Sequence, residues 1–295
     1  MTKTIHYTIH EVAPYINWLY FFHAWGFPAR LASISKVHGC EACRLNWLTG
    51  FPKEERSKAS EAIKLYDEAQ KILKEADSQI HTHAQIGLYE ANSQDDDIII
   101  IRGEEKTTIP FLRQQTPGSN GICLCMSDFV RPFGKGKDKI GIFACSVDPE
   151  LENRHVEDEY QHLLHQTIAD RLAEATAERM HEWVRKDGWG FSPQEAFTIE
   201  ELFHEAYQGK RPAVGYPSMP DQSINFLLAD IIGFNNIGIT LTESGAMRPH
   251  ASTSGLILSH PQTIHFSVGR IEDDQLRNYA KRRNISYEEM KKFIS

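Results

Sequence analysis

Val156–Lys186, VEDEYQHLLHQTIADRLAEATAERMHEWVRK, contains neither glycine nor proline, and the fold is read outward from it. Leu164, Ile168, Leu172, Ala175 and Trp183 recur on roughly one face of this stretch at helical spacing. A long helix forming the structural spine is therefore expected here. His162 and His165, one turn apart near Glu159, are read as part of its solvated face. Upstream, Lys53–Asp77 carries Ala62, Ile63, Tyr66, Ala69, Ile72 and Leu73 as one apolar stripe, which predicts a second helix. Short β-like runs follow at Ile86–Tyr89 and Asp97–Arg102, separated by the polar turn Asn92–Asp95. Downstream, Thr198-Ile199-Glu200-Glu201 fits a capping box for a helix running to Gly209, and Ser286-Tyr287-Glu288-Glu289 fits another for the last helix. Between them, Gly255–Leu258 and Ile264–Val268 read as strands. Helices and strands are thus interspersed without a regular βαβ period, so the fold class is α+β.

Composition narrows the function classes. The chain has 295 residues with 41% hydrophobic and 10% aromatic content, enough for a sizeable core. Its 32 Lys and Arg against 40 Asp and Glu give a formal charge of −8, so neither nucleic acid nor an anionic membrane is an expected partner. The most apolar early stretch, Val12–Phe27, is broken by Pro14, Asn17 and His23 and is too short to span a bilayer. It also lacks the layout of a signal peptide, and a cytoplasmic location with five reduced cysteines is the expectation. No repeat, low-complexity run or linker divides the chain, so one domain over residues 1–295 is expected.

The most informative short segment is Arg211-Pro212-Ala213-Val214-Gly215-Tyr216-Pro217. Two prolines stiffen it, Gly215 permits a backbone conformation or close approach closed to other residues, and Arg211 offers a planar fork for a carboxylate. From the residues alone it is either a rigid binding loop or an ordinary turn with a surface arginine. Other collinear stretches are Tyr15-Ile16-Asn17-Trp18 with Phe21-Phe22, Leu112–Thr116, Asp128-Phe129-Val130, and Ala169–Ala175. Beyond these come His181-Glu182 with Val184–Lys186, Leu241–Ser244, Ala251-Ser252 with Ser254-Gly255, and Ser259-His260-Pro261. Together with the Arg-Pro-x-x-Gly-Tyr-Pro signature, they resemble the S-adenosylmethionine-binding activation domain of cobalamin-dependent methionine synthase over nearly the whole chain.

The resemblance implies a central, mostly antiparallel sheet flanked by helices, with a family-atypical insertion near residues 38–60. It implies a shallow groove for S-adenosylmethionine and a part in the reductive methylation of cob(II)alamin. The chain, read as a stand-alone protein, would act in trans. Cobalamin would then be carried by a partner methionine synthase or corrinoid protein, and the electron would come from a flavodoxin-like donor. By the same likeness, Arg211 takes the ligand's carboxylate, while the backbone near Ala213 and Gly215 and the Tyr216 side chain hold the rest. Glu174 and Glu205 supply negative charge. Three departures from the family stand out: Asn17 replaces an aspartate facing the ligand's ammonium, His265-Phe266 replaces a Tyr-Tyr pair lining the groove, and Asp221–Asn225 replaces an acidic-His-Thr-Glu-Lys run. No side chain is expected to act as a general base. The alternatives are a docking module of the same fold that no longer binds S-adenosylmethionine, or a thiol redox or metal-binding protein built on Cys40 and Cys43.

Those cysteines belong to His38-Gly39-Cys40-Glu41-Ala42-Cys43, which could be a redox pair or half a zinc site with His38 as third ligand. Without a second ligand pair at zinc-finger spacing, structural or free thiols are the expectation, with no metal site. Cys123 and Cys125 alternate in a β-like run, at least one being core. Lys135, Lys137 and Lys139 are read as a mobile loop whose charge suits an acidic flavodoxin.

Overall fold

The computed structural model describes residues 2–118 and 121–294; Met1, Ser119, Asn120 and Ser295, which the expected domain 1–295 includes, lie outside the described residues. The strands are β1 (Thr2–Thr8), β2 (His81–Gln94), β3 (Asp97–Arg102), β4 (Glu105–Pro110), β5 (Asp138–Val147), β6 (Thr240–Leu241), β7 (Met247–Arg248) and β8 (Ser252–Ile257). Six of them form one antiparallel sheet in the order β4-β3-β2-β5-β8, and β1 also pairs with β2; β6 and β7 make a separate ribbon. Strand β2 is long enough to pair along one edge with β1, from Thr8↔His81 to Thr2↔Gly87, and then with β3, from Glu90↔Ile101 to Gln94↔Asp97. Its other edge pairs continuously with β5, from Thr82↔Val147 to Ala91↔Asp138.

The helices are α1 (Ile9–Val12), α2 (Trp18–Ala24), α3 (Glu41–Thr49), α4 (Arg56–Ala76), α5 (Pro149–Glu152), α6 (Glu159–Trp183), α7 (Ile199–Phe203), α8 (Ile224–Ile232), α9 (Asp273–Arg283) and α10 (Tyr287–Phe293). The expected spine is α6, capped by Asp158, whose carboxylate accepts from the Gln161 amide at 3.1 Å. Leu164, Ile168, Leu172 and Ala175 are buried as the periodicity predicts, and α6 packs on β2, β5 and β8. Interspersed Ala169, Ala173 and Ala177, also buried, let the helix backbone approach the sheet closely. On α4, Ala62, Ala69, Ile72 and Leu73 are buried, while Ile63 and Tyr66 are half-buried against the same core.

The sheet separates two cores. On the α4 and α6 side lie Phe143, Cys145 and Val147 of β5; on the α8 side lie Ile140, Ile142 and Ala144 of the same strand. Successive side chains of a strand alternate faces, so β5 is apolar on both and serves as the sheet's interior ridge. A smaller third cluster joins Leu112 and Val268 to Tyr279 and Ala280 of α9 and Met290 of α10. Among the described residues no helix is long and apolar enough to cross a membrane.

Several local expectations are corrected. Asn92, Ser93 and Gln94 remain in β2, and the turn is Asp95-Asp96, with Asp95 at φ 53°. Asn92 and Ser93 fit inside because the 130–136 segment supplies acceptors: Asn92 Nδ2 donates to the Gly136 carbonyl at 2.7 Å, and Ser93 Oγ donates to the Val130 carbonyl at 2.7 Å, while Gln94 is exposed. The capping box at Thr198 forms, the Glu201 carboxylate accepting from the Thr198 amide at 2.8 Å, but α7 ends at Phe203. There the chain turns through Glu205 at φ 51°. Gly209 ends no helix; a Cβ on it would lie 2.2 Å from the Leu258 carbonyl, so it permits a backbone crossing. Ser286 does cap α10, accepting from the Glu289 amide at 3.2 Å.

Residues 264–268 form no strand, nor does the Cys123–Cys125 run, though Cys125 is buried. His165 is not solvated. It is buried against the His155 ring at 4.8 Å, with Nδ1 2.8 Å from the Gln161 carbonyl. Lys135, Lys137 and Lys139 are exposed, but Lys139 lies within β5 and Lys137 pairs with Glu90 at 3.0 Å.

Candidate functional site

Segment 210–214 runs antiparallel beside β8 as a partial extra strand. The Lys210 amide donates to the Leu258 carbonyl at 2.9 Å, the Leu256 amide to the Pro212 carbonyl at 3.0 Å, and the Val214 amide to the Ser254 carbonyl at 2.9 Å. Pro212 has no N–H, and here only its carbonyl is required. Gly255 makes the contact possible, since a Cβ there would lie 2.1 Å from the Pro212 oxygen. At Gly215, φ 86° turns the chain away from the strand, and its amide closes onto the Met219 carbonyl at 2.8 Å. The proline-stiffened loop is thereby fixed to the sheet from below, with Arg211 and Tyr216 left at its margin.

Arg211 lies in a groove of about 290 Å³ bounded by α6, the Tyr15–Tyr20 segment, the end of α7, this loop and His265. Its guanidinium stands 5.3 Å above the Phe143 ring. One terminal nitrogen is 3.8 Å from Glu174 and 3.7 Å from Glu178, too long for hydrogen bonds, and the buried Nε has no acceptor. Burial works against its charge, but Glu174 and Glu178 outweigh that and raise its pKa. The groove therefore presents an ionised arginine whose donors are not consumed by the protein. Across it, the Tyr216 hydroxyl donates to Glu174 at 3.3 Å. The Glu205 carboxylate is 3.0 Å from His265 Nε2 and 3.3 Å from Lys210 Nζ. Burial alone would raise the Glu205 carboxyl, yet His265 and Lys210 hold it below the usual carboxylate range.

Beneath the groove lies a buried polar layer. Arg185 is wholly buried, its Nε 3.0 and 2.9 Å from the two Glu195 oxygens and its guanidinium 3.9 Å from the Tyr207 ring. Glu178 is 3.8 Å away, and burial pushes its carboxyl up against the pull of Arg211 and Arg185. His181 packs edge-on to Tyr207 at 5.0 Å. Both its ring nitrogens are buried without partners, and burial, then Arg185 and Arg211, press its pKa well below the usual value.

The folded chain therefore refuses a proton that unfolded His181 accepts near pH ~6.5. The stability associated with neutral His181 is complete above that pH and falls away as pH drops through it. By one unit below, the loss should reach about 1.4 kcal/mol. His181→Phe, which keeps the ring and removes the orphaned nitrogens, should show a correspondingly flatter decline in urea-unfolding free energy between pH ~7.5 and ~5.5. Parallel declines in parent and variant would disprove this.

Of the residues singled out in the sequence, the groove brings together Asn17, Glu174, Glu205, Arg211, Ala213, Tyr216 and His265. Gly215 shapes the loop without lining the groove. Phe266 points away: its ring packs between two cores, 6.3 Å from Phe129. Asn17 Oδ1 caps α2, accepting from the Leu19 amide at 3.1 Å, so part of its acceptor capacity is already used. The departing run Asp221–Asn225 is structural. Buried Asp221 accepts from the Tyr279 hydroxyl at 2.8 Å, and Asn225 bridges the Gly245 carbonyl at 2.9 Å and the Ser254 hydroxyl at 2.5 Å. Sequence reasoning missed Tyr15, Tyr20, Arg171, Glu178 and Tyr207, which also line the groove. Arg171 and Glu178 stand three and four residues from Glu174 on α6, a spacing that places them on one helix face.

Two comparisons bear on this arrangement. The family model described as vitamin B12 dependent methionine synthase, activation domain, matches residues 8–284. A crystal structure described as the MetH reactivation domain bound to AdoHcy is 32% identical with a TM-score of 0.85, over 99% of this chain and 89% of that one.

Proposed function

Since the chain belongs to the activation-domain family of vitamin B12-dependent methionine synthase, we propose that it binds S-adenosylmethionine in the groove and supports reductive methylation of a cobalamin carried by another domain or protein. The observation that carries this reading is Arg211, an ionised fork with an unpartnered buried Nε, set among carboxylates. Three acids, Glu174, Glu178 and Glu205, face two guanidiniums, Arg171 and Arg211, so the lining carries a formal excess of one negative charge. S-adenosylmethionine is the complementary ligand: its carboxylate suits the fork, and its ammonium and sulfonium leave a net positive charge.

Arg211 would take the carboxylate and Tyr216 and the Ala213 backbone would flank the head group, while Glu174 and Glu205 would face the cationic end. The groove adjoins an apolar recess of about 860 Å³ through shared Asn17, Tyr20 and Phe203, giving flat walls on which an adenosine can lie. Methyl transfer from a sulfonium to cobalt(I) breaks the S–CH3 bond, leaves a neutral thioether and moves no proton. The chain's contribution is accordingly positioning and electrostatics, without a general base. A flavodoxin-like protein would supply the electron, and exposed Lys135 and Lys139 would offer it positive charge, Lys137 being paired with Glu90.

To test this, the protein would be mixed with a cob(II)alamin-loaded methionine synthase lacking its own activation domain, a reductant and S-adenosylmethionine. Absorption should shift to that of methylcobalamin only when all components are present; no shift would overturn the catalytic reading. A second reading, a docking module without S-adenosylmethionine affinity, draws on Asn17 capping α2 and Phe266 facing inward. Calorimetry with S-adenosylmethionine separates the two, because the docking module would give no binding heat.

A further inference from the structure

His38, Cys40 and Cys43 stand where the chain enters α3, and they line no part of the groove. We propose that these three residues bind a thiophilic divalent cation, zinc above all, with a fourth coordination position open to water or an exogenous thiolate. One imidazole nitrogen and two sulfurs converge here, all within 4.8 Å of one another. Tetrahedral zinc holds sulfur at about 2.3 Å and nitrogen at about 2.0–2.1 Å, which sets donor atoms roughly 3.5–3.8 Å apart. A contraction of about an ångström therefore completes the set, well within side-chain rotation.

The local backbone presets this convergence. Cys40 is the N-cap of α3, with Sγ 3.4 Å from the Cys43 amide, so helix geometry brings the two thiols to one side of the first turn. The Cys40 amide donates to His38 Nδ1 at 3.3 Å, folding the imidazole back toward the sulfurs. The helix carrying them is anchored from behind: Arg44 pairs with Asp67 of α4, and Trp47 stacks edge-on to Phe51 at 4.7 Å while Nε1 donates to Ser33 at 3.0 Å. Ligands on an anchored helix end lose less freedom on binding metal than ligands on a free loop.

The third donor decides between metal and disulfide. Two thiols one turn apart serve either outcome, but a disulfide would leave the convergent imidazole without a bonding role, whereas a metal takes it as the third donor of a nitrogen-and-sulfur set suited to zinc. Two thiolates and a neutral imidazole also cancel the charge of a divalent cation. Cys40 is exposed and Cys43 half-buried, and no fourth His, Cys, Asp or Glu joins the group among the described residues, so the remaining position faces solvent.

The full chain, kept reduced, would be incubated with Zn2+ or the spectroscopic probe Co2+ and freed of unbound metal. One metal ion per chain should remain, and the Co2+ form should show thiolate-to-cobalt charge-transfer absorption with tetrahedral d–d bands. Cys40→Ser and Cys43→Ser should abolish both signals. His38→Ala should weaken Zn2+ at least ~100-fold, the upper end of what losing even an outer-shell partner costs. Circular dichroism and S-adenosylmethionine calorimetry on the same variants report folding and the groove separately, so failure here leaves the proposed function standing. A reduced chain that retains no metal, or a Cys40→Ser, Cys43→Ser double variant that retains it, overturns the site. A Cys40–Cys43 disulfide forming on oxidation in a chain that takes no metal when reduced does so too.

Discussion

Replacing Arg185 with alanine should destabilise the protein by about 3–5 kcal/mol, the cost of stripping one partner from a buried ion pair. Its side chain is 0% exposed, and the Glu195 side chain it holds is only 3% exposed. Without the guanidinium, Glu195 would be a buried carboxylate stripped of its charged partner, Glu178 would keep only Arg211, and the Tyr207 ring would lose its nearer cationic neighbour at 3.9 Å. The placement of Arg185 depends on the widened turn Val184–Gly188 that ends α6, closed by the Trp189 amide on the Val184 carbonyl at 2.8 Å. Urea unfolding measures the loss. The control is Arg185→Met with Glu195→Leu, which removes both charges and should recover most of it, because an apolar replacement of a buried pair is often neutral. An Arg185→Ala variant within 1 kcal/mol of the parent would refute the structural role assigned to this layer.

Arg211→Ala should weaken S-adenosylmethionine binding by about 2 kcal/mol or more, roughly 30-fold, by leaving the ligand's carboxylate desolvated without its charged partner. Arg211 also balances Glu174 and Glu178, so the alanine variant disturbs the groove's charge as well. Arg211→Lys separates the effects. It keeps the positive charge beside both acids but replaces the planar fork with a point charge, and it should fold as the parent does while still binding measurably more weakly. Calorimetry on both variants is the measurement, and undiminished affinity in the alanine variant would show that the head group lies elsewhere.

Legibility differs sharply between elements. Helix α4 could be read because it has a polar face and a buried face, α6 because it runs without glycine or proline although no residue from Thr167 to Trp183 is exposed, and β3 because Asp97–Arg102 is a compact apolar run bounded by turns. Strand β5 gave no alternation to detect, since Ile140, Ile142 and Ala144 face one core and Phe143, Cys145 and Val147 the other. Strand β2 was seen only at Ile86–Tyr89, because its polar end is buried by a segment about forty residues later. In the groove, Arg211 is legible from the residues of its own loop, and Glu174 and Glu205 only through the family resemblance. Tyr207 is not, because its place depends on how α7 and the loop close over α6, whereas Glu178, one helical turn after Glu174, is within reach of helical spacing.

By itself the sequence determined what is local: the capped starts of α7 and α10, the long spine free of glycine and proline, and a proline-flanked loop headed by a guanidinium. Capping and helical periodicity act over a few residues and need no distant partner. Tertiary structure alone decided which charges face one another. Glu195 beneath Arg185, Glu178 beside Arg211 and Glu205 against His265 are neighbours only because chain segments far apart in sequence converge, and that convergence is driven by apolar burial on both faces of the sheet. Burial is indifferent to which charges it brings together; the protonation and reach of each then follow from the partners it is left with.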